Sequence, residues 1–572
     1  VMKSAVVYQT PTERYAPTGS GFAVVTDPYY GAKGDAETDD TSAIKKALAA
    51  VAKEGGIVFF PAGEYRVTSE LIVPANVELR GINECPHHAQ TRGSVIDVIP
   101  GKGNADGAPF ITLSAKSGLR GLTFHYPELD VFDIQPYPWT IRGAGEGVWI
   151  VNTTCTFSYQ FIDLATIRCD KHYVDYAAGH GFKTAFKIGG GSVGGRLINC
   201  QLNPNYYAFT NSYANSPDQL RKKTGEKRDF FEATDSYAKQ YGDAFNIGDC
   251  ADQILFHNFV FGARRGLALT GTATGPSGWC FGHGSDQCGW GLYAEKLGAN
   301  GMPLINTQLV TVSSNGPDNG YIKLDKQFTG VLYLLGVNAW GGPNNAVEVD
   351  GGRLIVSDLS ATNSGNSVFV LRNKGALTAI NTRLDNFGTI LERSAATNDA
   401  KLYGTLVARR NNSYFADDLD KLAEDDLAVI ATPDTNIGIA FPEDKALPVK
   451  GWKIRANARQ DVTQRAIDGD LATRWDTGRG AKRGDEFIVE LDQIRTISKV
   501  RLNATGSAND RPRRFRLYLS TDGKNWGEPV ATGRGEEDLR IGFKPQQAKY
   551  LRVVNTSDNG NFWSIHEIQI AE

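Results

Sequence analysis

A chain with only two methionines, no C-x-x-C pair and almost no net charge excludes several classes of protein before any motif is read. Its 572 residues hold 61 basic and 64 acidic side chains, a formal charge of -3, which leaves no positive excess for neutralising nucleic-acid phosphates. Seven cysteines, an odd number without paired spacing, argue against a zinc ribbon or a redox motif. Cys280 and Cys288 are near enough to bridge a loop, whereas Cys155, Cys200 and Cys250 read as small buried apolar residues. No apolar run approaches the roughly 18–20 residues that a membrane-crossing helix needs. Val1 is followed by polar sequence rather than by the apolar core of a leader, so the expectation is a secreted protein, extracellular or periplasmic, whose export signal has been removed.

Helix is scarce as well. Asp39-Asp40-Thr41 opens one amphipathic stretch with Ile44, Ala47, Leu48 and Val51 on a single face, and Gly55-Gly56 closes it. Beyond it the 63 glycines and 23 prolines punctuate short β-type runs, and no further convincing helix follows for over three hundred residues.

Within that stretch one apolar position recurs: Ile141, Ile162, Phe186, Phe245, Leu267, Leu292, Ile322, Val347, Val368 and Ile390. The intervals run from 21 to 30 residues apart from one of 59, between Phe186 and Phe245. Such a period fits stacked coils that bury a column no single coil could bury alone, with an insertion in the long interval. Between 11 and 13 residues after several column positions stand Asn152, Asn199, Asn258, Asp358 and Asn381, side chains suited to the turn between two strands. The residue after each column position points outward. That outer line reads Arg142, Asp163, Lys187, Asn246, Ala268, Tyr293, Lys323 and Glu348, the polar character expected of a groove for a polar polymer.

After an acidic linker at 416–445 the texture changes. Phe487, Val489 and Leu491, then Phe515, Leu517 and Leu519, alternate with polar residues, the signal for an antiparallel sandwich over 446–572.

Two family resemblances rest on particular residues. Asp27-Pro-Tyr-Tyr-Gly-Ala-Lys-Gly34, Asp39-Asp-Thr-Ser-Ala-Ile44 and Gly55-Gly-Ile-Val-Phe-Phe-Pro-Ala-Gly-Glu-Tyr65 resemble the opening of the pectate-lyase/polygalacturonase-like superfamily. That resemblance implies an all-β fold, a right-handed parallel β-helix over 21–415 with an N-terminal capping helix. Ala466-Ile-Asp-Gly-Asp-Leu-Ala-Thr-Arg-Trp475, Leu517-Tyr-Leu-Ser-Thr-Asp-Gly-Lys-Asn-Trp526 and Ile565-His-Glu-Ile568 resemble a discoidin or coagulation-factor C-type domain, a jelly roll shared by many carbohydrate-binding modules. It implies a structural Ca²⁺, for which Asp468, Asp470, Thr473 and Glu567 supply hard oxygen ligands.

The first resemblance places paired catalytic aspartates where this chain has Asp243 and Ala244, and a histidine where it has Arg264 and Arg265. Asp243, Asp163, Asp286 and His283 form the pool of acids and bases, with His180 on a nearby turn. Lys187, Asn246, Arg264, Arg265, Tyr293 and Lys323 are candidates for holding substrate. An insertion at 203–240, rich in tyrosine and phenylalanine, is placed to wall the groove. The expected partner is a polysaccharide or oligosaccharide, and the expected activity is glycoside hydrolysis by carboxylates, with no cofactor in the reaction. A lyase that eliminates across a uronate is the runner-up, because the cations on the same face suit a carboxylate. A noncatalytic glycan-binding adhesin is the third reading.

Overall fold

The computed structural model describes residues 15–82, 93–204, 230–312, 318–362, 367–385, 387–394, 398–408, 413–416, 427–429, 436–437, 439–442, 445–533 and 535–572. Helix α1, Thr41–Val51, starts at the expected signal: the Thr41 amide donates to Asp39 Oδ1 at 3.0 Å, and Asp40 accepts from the amides of Lys33 and Gly34. Ile44, Ala47, Leu48 and Val51 form its buried stripe. Among the described residues the other helices are α2, Phe230–Tyr241, and a 3-10 turn at Gln460–Ala466. None is long and apolar enough to cross a membrane.

The chain divides into two compact units. One comprises Val1–Asn363, Leu377–Asp385 and Tyr403–Leu406, and the other Ser364–Ala376, Asn386–Leu402 and Val407–Glu572. Strands of the first unit pair in parallel, each with a strand about one repeat downstream. Ile141 lies opposite Ile162, then Ile162 opposite Phe186, Phe186 opposite Phe245 and Phe245 opposite Leu267. Leu267, Leu292, Ile322 and Val347 continue the ladder. None of these side chains exceeds 1% exposure. In the second unit Val368 and Ile390 are buried too, on Ser367–Leu371 and Thr389–Arg393, which also pair in parallel. The interval of 59 residues is a single coil with an inserted segment, because Phe186 faces Phe245 directly. Full burial of a side chain of this size contributes about 1.5–3 kcal/mol, and here it requires a neighbouring coil on each side.

The turns obey a local backbone rule. Gly121, Asn152, Tyr176, Asn199, His257, Gly282, Asn306, Gly336, Asp358, Asn381 and Gly404 all have φ between 48° and 69°. They stand one to a coil, at the bend between two ladders, where left-handed backbone favours Gly and Asn. Asn152, Asn199, Asp358 and Asn381 are in this line as expected, and Asn381 Nδ2 donates to Asp358 Oδ1 at 2.5 Å. Asn258 is not. His257 takes the left-handed place, and Asn258 turns inward, accepting from the Cys200 amide and donating to the Leu197 carbonyl, both at 3.0 Å. The register slips there by one residue because an inward amide can satisfy buried backbone as well as an outward one can make a turn.

The second unit carries an antiparallel sheet in which Glu486–Asn503 pairs with Lys453–Ala456, Asp538–Asn555 and Glu567–Ala571, and Asp538–Asn555 also pairs with Phe515–Ser520. The alternating residues Phe487, Val489, Leu491, Phe515, Leu517 and Leu519 are all buried. Trp475 anchors this core, edge-on to Trp563 with centroids 5.1 Å apart, its indole N–H donating to the Ala458 carbonyl.

Candidate functional site

The outer line of the first unit keeps the register expected of it. Arg142 pairs with Asp163, Asp163 with Lys187, Lys187 with Asn246, Asn246 with Ala268, Ala268 with Tyr293, Tyr293 with Lys323 and Lys323 with Glu348. Its members differ sharply in access. Lys187 is exposed and Asn246 half-buried, accepting from the Thr270 hydroxyl at 2.7 Å. Asp163 is fully buried: Arg142 Nε reaches one oxygen at 2.7 Å, and the amides of Ala165 and Thr166 donate to the other. Burial alone would raise its carboxyl, but the bonds from Thr166, Ala165 and Arg142 outweigh it and hold the group below the usual carboxylate range. The expectation that Asp163 faces a substrate is therefore corrected. It joins two coils and has no access to a ligand from solvent.

Asp243 stands on Asp243–Ile247, opposite Arg265, which is opposite Trp290. The guanidinium that grips it is the neighbouring one. Arg264 Nη2 lies 2.7 and 2.8 Å from the two carboxylate oxygens and Nε 3.1 Å from the first. The backbone N–H of Arg264 donates to the carbonyls of Ala238 and Gly242, which fixes Arg264 beside the end of α2. Arg265 Nη1 is 4.0 Å from Asp243 and 3.0 Å from Glu295, with its guanidinium 3.6 Å above the Tyr293 ring. Tyr293 in turn donates to Asp325 at 2.7 Å, and burial with that bond raises its phenol. Lys323 lies 3.1 Å from Asp318, 3.4 Å from Glu348 and 4.8 Å over the Trp290 ring. Asp243, Arg264, Arg265, Tyr293 and Lys323 thus share one charged face with Glu295 and Asp325, two acids the sequence reading left out.

A second cluster lies where α2 crosses the turn after Gly284–Asp286. Asp286 is half-buried, and burial raises its carboxyl against the opposing pull of the Gln287 amide and of Lys239. On α2, Lys239 pairs with Asp235 at 2.7 Å, burial raises the Asp235 carboxyl, and Asp235 Oδ1 has no hydrogen-bond partner among the described residues. The only sequence signal for Asp235 is its i,i+4 spacing to Lys239 in a helix that periodicity did not reveal. The insertion's aromatics are divided: Tyr237 packs edge-on to Phe182 at 5.7 Å, while Tyr206, Tyr207, Phe209 and Tyr213 lie outside the described residues.

His283 is withdrawn from the acid-base pool. It is buried, bonded to Ser285 Oγ at 2.9 Å and set edge-on to Phe245, and burial pushes its pKa down to about 3. His180 is buried as well, between Phe157 and Phe182, and pushed down to about 3 by the same cause. Both imidazoles are almost wholly buried, and among the described residues neither is near a carboxylate that would hold it charged. Cys280 and Cys288 form no bridge: they are free and buried, as are Cys155, Cys169, Cys200 and Cys250.

Two oxygen-rich clusters have the composition of cation sites. On three successive coils Glu64, Asp97 and His125 bring ligand atoms within 4.8 Å of one another, and His125 Nδ1 is 2.8 Å from Asp97 Oδ1. Burial, then the neighbouring Asp97, push Glu64 up to about 7. In the sandwich, Asp468 Oδ2 accepts from Thr473 at 2.6 Å, and Glu567 accepts from the Gly469 amide at 2.6 Å. Burial raises the Glu567 carboxyl beside Asp468. Asp470 is bound into its own loop, accepting from the Ala472 amide at 2.9 Å.

Comparison with known proteins divides along the same chain. Residues 453–568 match the F5/8 type C domain model, and residues 24–116 match the model described as rhamnogalacturonase A/epimerase, pectate lyase-like. A galactose oxidase of Gibberella zeae is 30% identical over 142 residues, covering 23% of this chain and 21% of its own length. A sialidase of Micromonospora viridifaciens is 33% identical over 110 residues, 18% of this chain and 17% of its own. Alginate lyase 7 of Azotobacter vinelandii is 47% identical over 60 residues, 9% and 7% of the respective chains. The chain spans about a fifth of the length of the first of these curated relatives. Among solved structures, a family 32 carbohydrate-binding module of Clostridium perfringens NanJ in complex with galactose is 22% identical, with 22% of this chain and 98% of that one covered at a TM-score of 0.21. The chain is thus similar to two family models in two separate places, a pectate-lyase-like one over residues 24–116 and an F5/8 type C one over residues 453–568.

Proposed function

We propose that this protein is a secreted carbohydrate-active enzyme that cleaves glycosidic bonds of a polysaccharide. In this reading the parallel stack is a right-handed β-helix carrying the reaction, and the sandwich holds the enzyme to glycan. The observation that carries it is the contrast between two acids flanking the end of α2. Asp243 has both oxygens bonded to Arg264 N–H groups, whereas Asp286 is half-buried with no guanidinium partner among the described residues, and burial raises its carboxyl. Glycoside hydrolysis uses two carboxyl groups in different surroundings, one as acid and one as base. Asp286 donates its proton to the leaving oxygen, and Asp243 accepts a proton from the attacking water. The names of the relatives, a sialidase and an alginate lyase among them, agree with carbohydrate chemistry without choosing the bond.

Elimination is the second reading, favoured by Arg265 stacked on Tyr293 with Lys323 on the next coil, cations suited to a uronate carboxylate. One assay separates them. On a glycan panel, hydrolysis yields new reducing ends without the ultraviolet absorbance of an unsaturated uronate; elimination yields both, and neither signal on any glycan sinks the enzyme reading.

We further propose Ca²⁺ at Asp468, Thr473 and Glu567, with Asp470 shaping the loop. The converging carboxylates fit a hard cation that would relieve their repulsion. A ligand at about a hundred times its Kd adds roughly 2.7 kcal/mol to the fold it binds. Excess calcium is expected to raise the melting temperature of the sandwich transition in calorimetry, a chelator to reverse it, and Asp468→Asn with Glu567→Gln to remove the response. An unchanged melting temperature with calcium rules the site out.

A further inference from the structure

The left-handed bends that carry the stack also shape its surface, on a face separate from Asp243. Along that line side chains alternate with none: His257, Gly282, Asn306, Gly336, Asp358. The glycines keep notches open. A Cβ on Gly282 would sit 2.4 Å from the His257 ring, and one on Gly336 2.9 Å from Asn306 Oδ1. The result is a groove of about 400 Å³, lined by these five residues together with His283, Thr307, Gln308 and Asn338. Thr307 is buried, and its hydroxyl has no hydrogen-bond partner among the described residues.

One residue upstream of the first four of these bends lies an apolar strip, which ends at Ser357. Phe256 faces Phe281, Phe281 faces Ile305 and Ile305 faces Leu335. Phe256 is 39% exposed, Leu335 47% and Trp279 49%. The rings lie in two stacked pairs: Trp279 stacks on Phe281 at 5.9 Å with an interplanar angle of 11°, Phe256 stacks on His257 at 4.1 Å with the same angle, and Phe256 is tilted 58° to Phe281. His257 therefore belongs to both strip and groove. Exposed aromatic rings beside amides suit a ligand with apolar faces and hydroxyl edges. No Lys or Arg lines the groove, and its single carboxylate, Asp358, is paired with Asn381. Lysine and arginine, the side chains that would pair with an anionic sugar, are absent from that lining.

We propose that this groove and its aromatic strip bind an uncharged stretch of glycan, away from the charged Asp243 face. The proposal rests on the carbohydrate-active reading and is independent of which bond is cleaved. Amide hydrogen exchange of the full chain tests it, with galactan, arabinan and dextran as neutral probes and polygalacturonate as the charged one. At least one neutral glycan is expected to slow exchange in segments 254–260, 279–283, 304–308 and 333–338. Phe256→Ala with Trp279→Ala, both exposed and so compatible with folding, is expected to weaken that protection roughly tenfold or more in glycan concentration, about 1.4 kcal/mol. Asn338→Ala alone is expected to act in the same direction. Protection confined to 453–568, protection unchanged in the double variant, or a response to polygalacturonate alone overturns the proposal. Turnover measured in parallel keeps the two readings apart: a protein that cleaves glycan without protecting the strip fails here only, and one that protects the strip without turnover fails only as an enzyme.

Discussion

Asp243→Asn is expected to lower kcat on the cleaved glycan by roughly 10²–10⁴-fold, the range for loss of a positioned acid-base group. The amide keeps one oxygen to accept from Arg264 and is nearly isosteric, so the pair loses charge rather than shape. Arg264 is 40% exposed and stays solvated when its partner is neutral, which limits the cost to stability. The discriminating control is Arg264→Met. If Asp243 only ties two coils together, Asp243→Asn and Arg264→Met should lower the melting temperature alike and leave turnover near normal. Such a result would remove Asp243 from the mechanism. A tenfold or smaller loss with Asp286→Asn would likewise remove the proposed acid.

The second large effect is on the fold. Phe245→Ala should destabilise the first unit by about 3–5 kcal/mol, the usual cost of emptying a buried aromatic site. Phe245 stacks on Phe186 with centroids 4.9 Å apart and planes 2° from parallel, and His283 packs against its edge. Coil-to-coil spacing is held by continuous backbone ladders at about 4.8 Å, so the walls cannot close on the void. The check is the midpoint of denaturant unfolding at unchanged slope. A loss below about 1 kcal/mol would mean that the column is not what holds adjacent coils together.

The column was legible because each member needs only two local properties, apolarity and a fixed interval, and parallel stacking converts equal intervals into equal register. Ile141 through Val347 and the polar line beside them follow from that alone. The one place where the turn line slipped, Asn258 for His257, lies where both residue types tolerate a bend. Side-chain satisfaction inside the coil decided between them.

The amino-acid sequence by itself determined the period, the inward column, the outer line, the start of α1 and the alternating core of the sandwich. Each is set by neighbours a few residues away or by repetition. What only tertiary structure decided is the chemistry at the face: that Arg264 rather than Arg265 grips Asp243, that Asp163 and His283 are buried, and that α2 brings Lys239, paired with Asp235, near Asp286. The reason is that charge state and access depend on burial and on partners from other coils, and a side chain's rotamer chooses among partners that sequence spacing makes equally near.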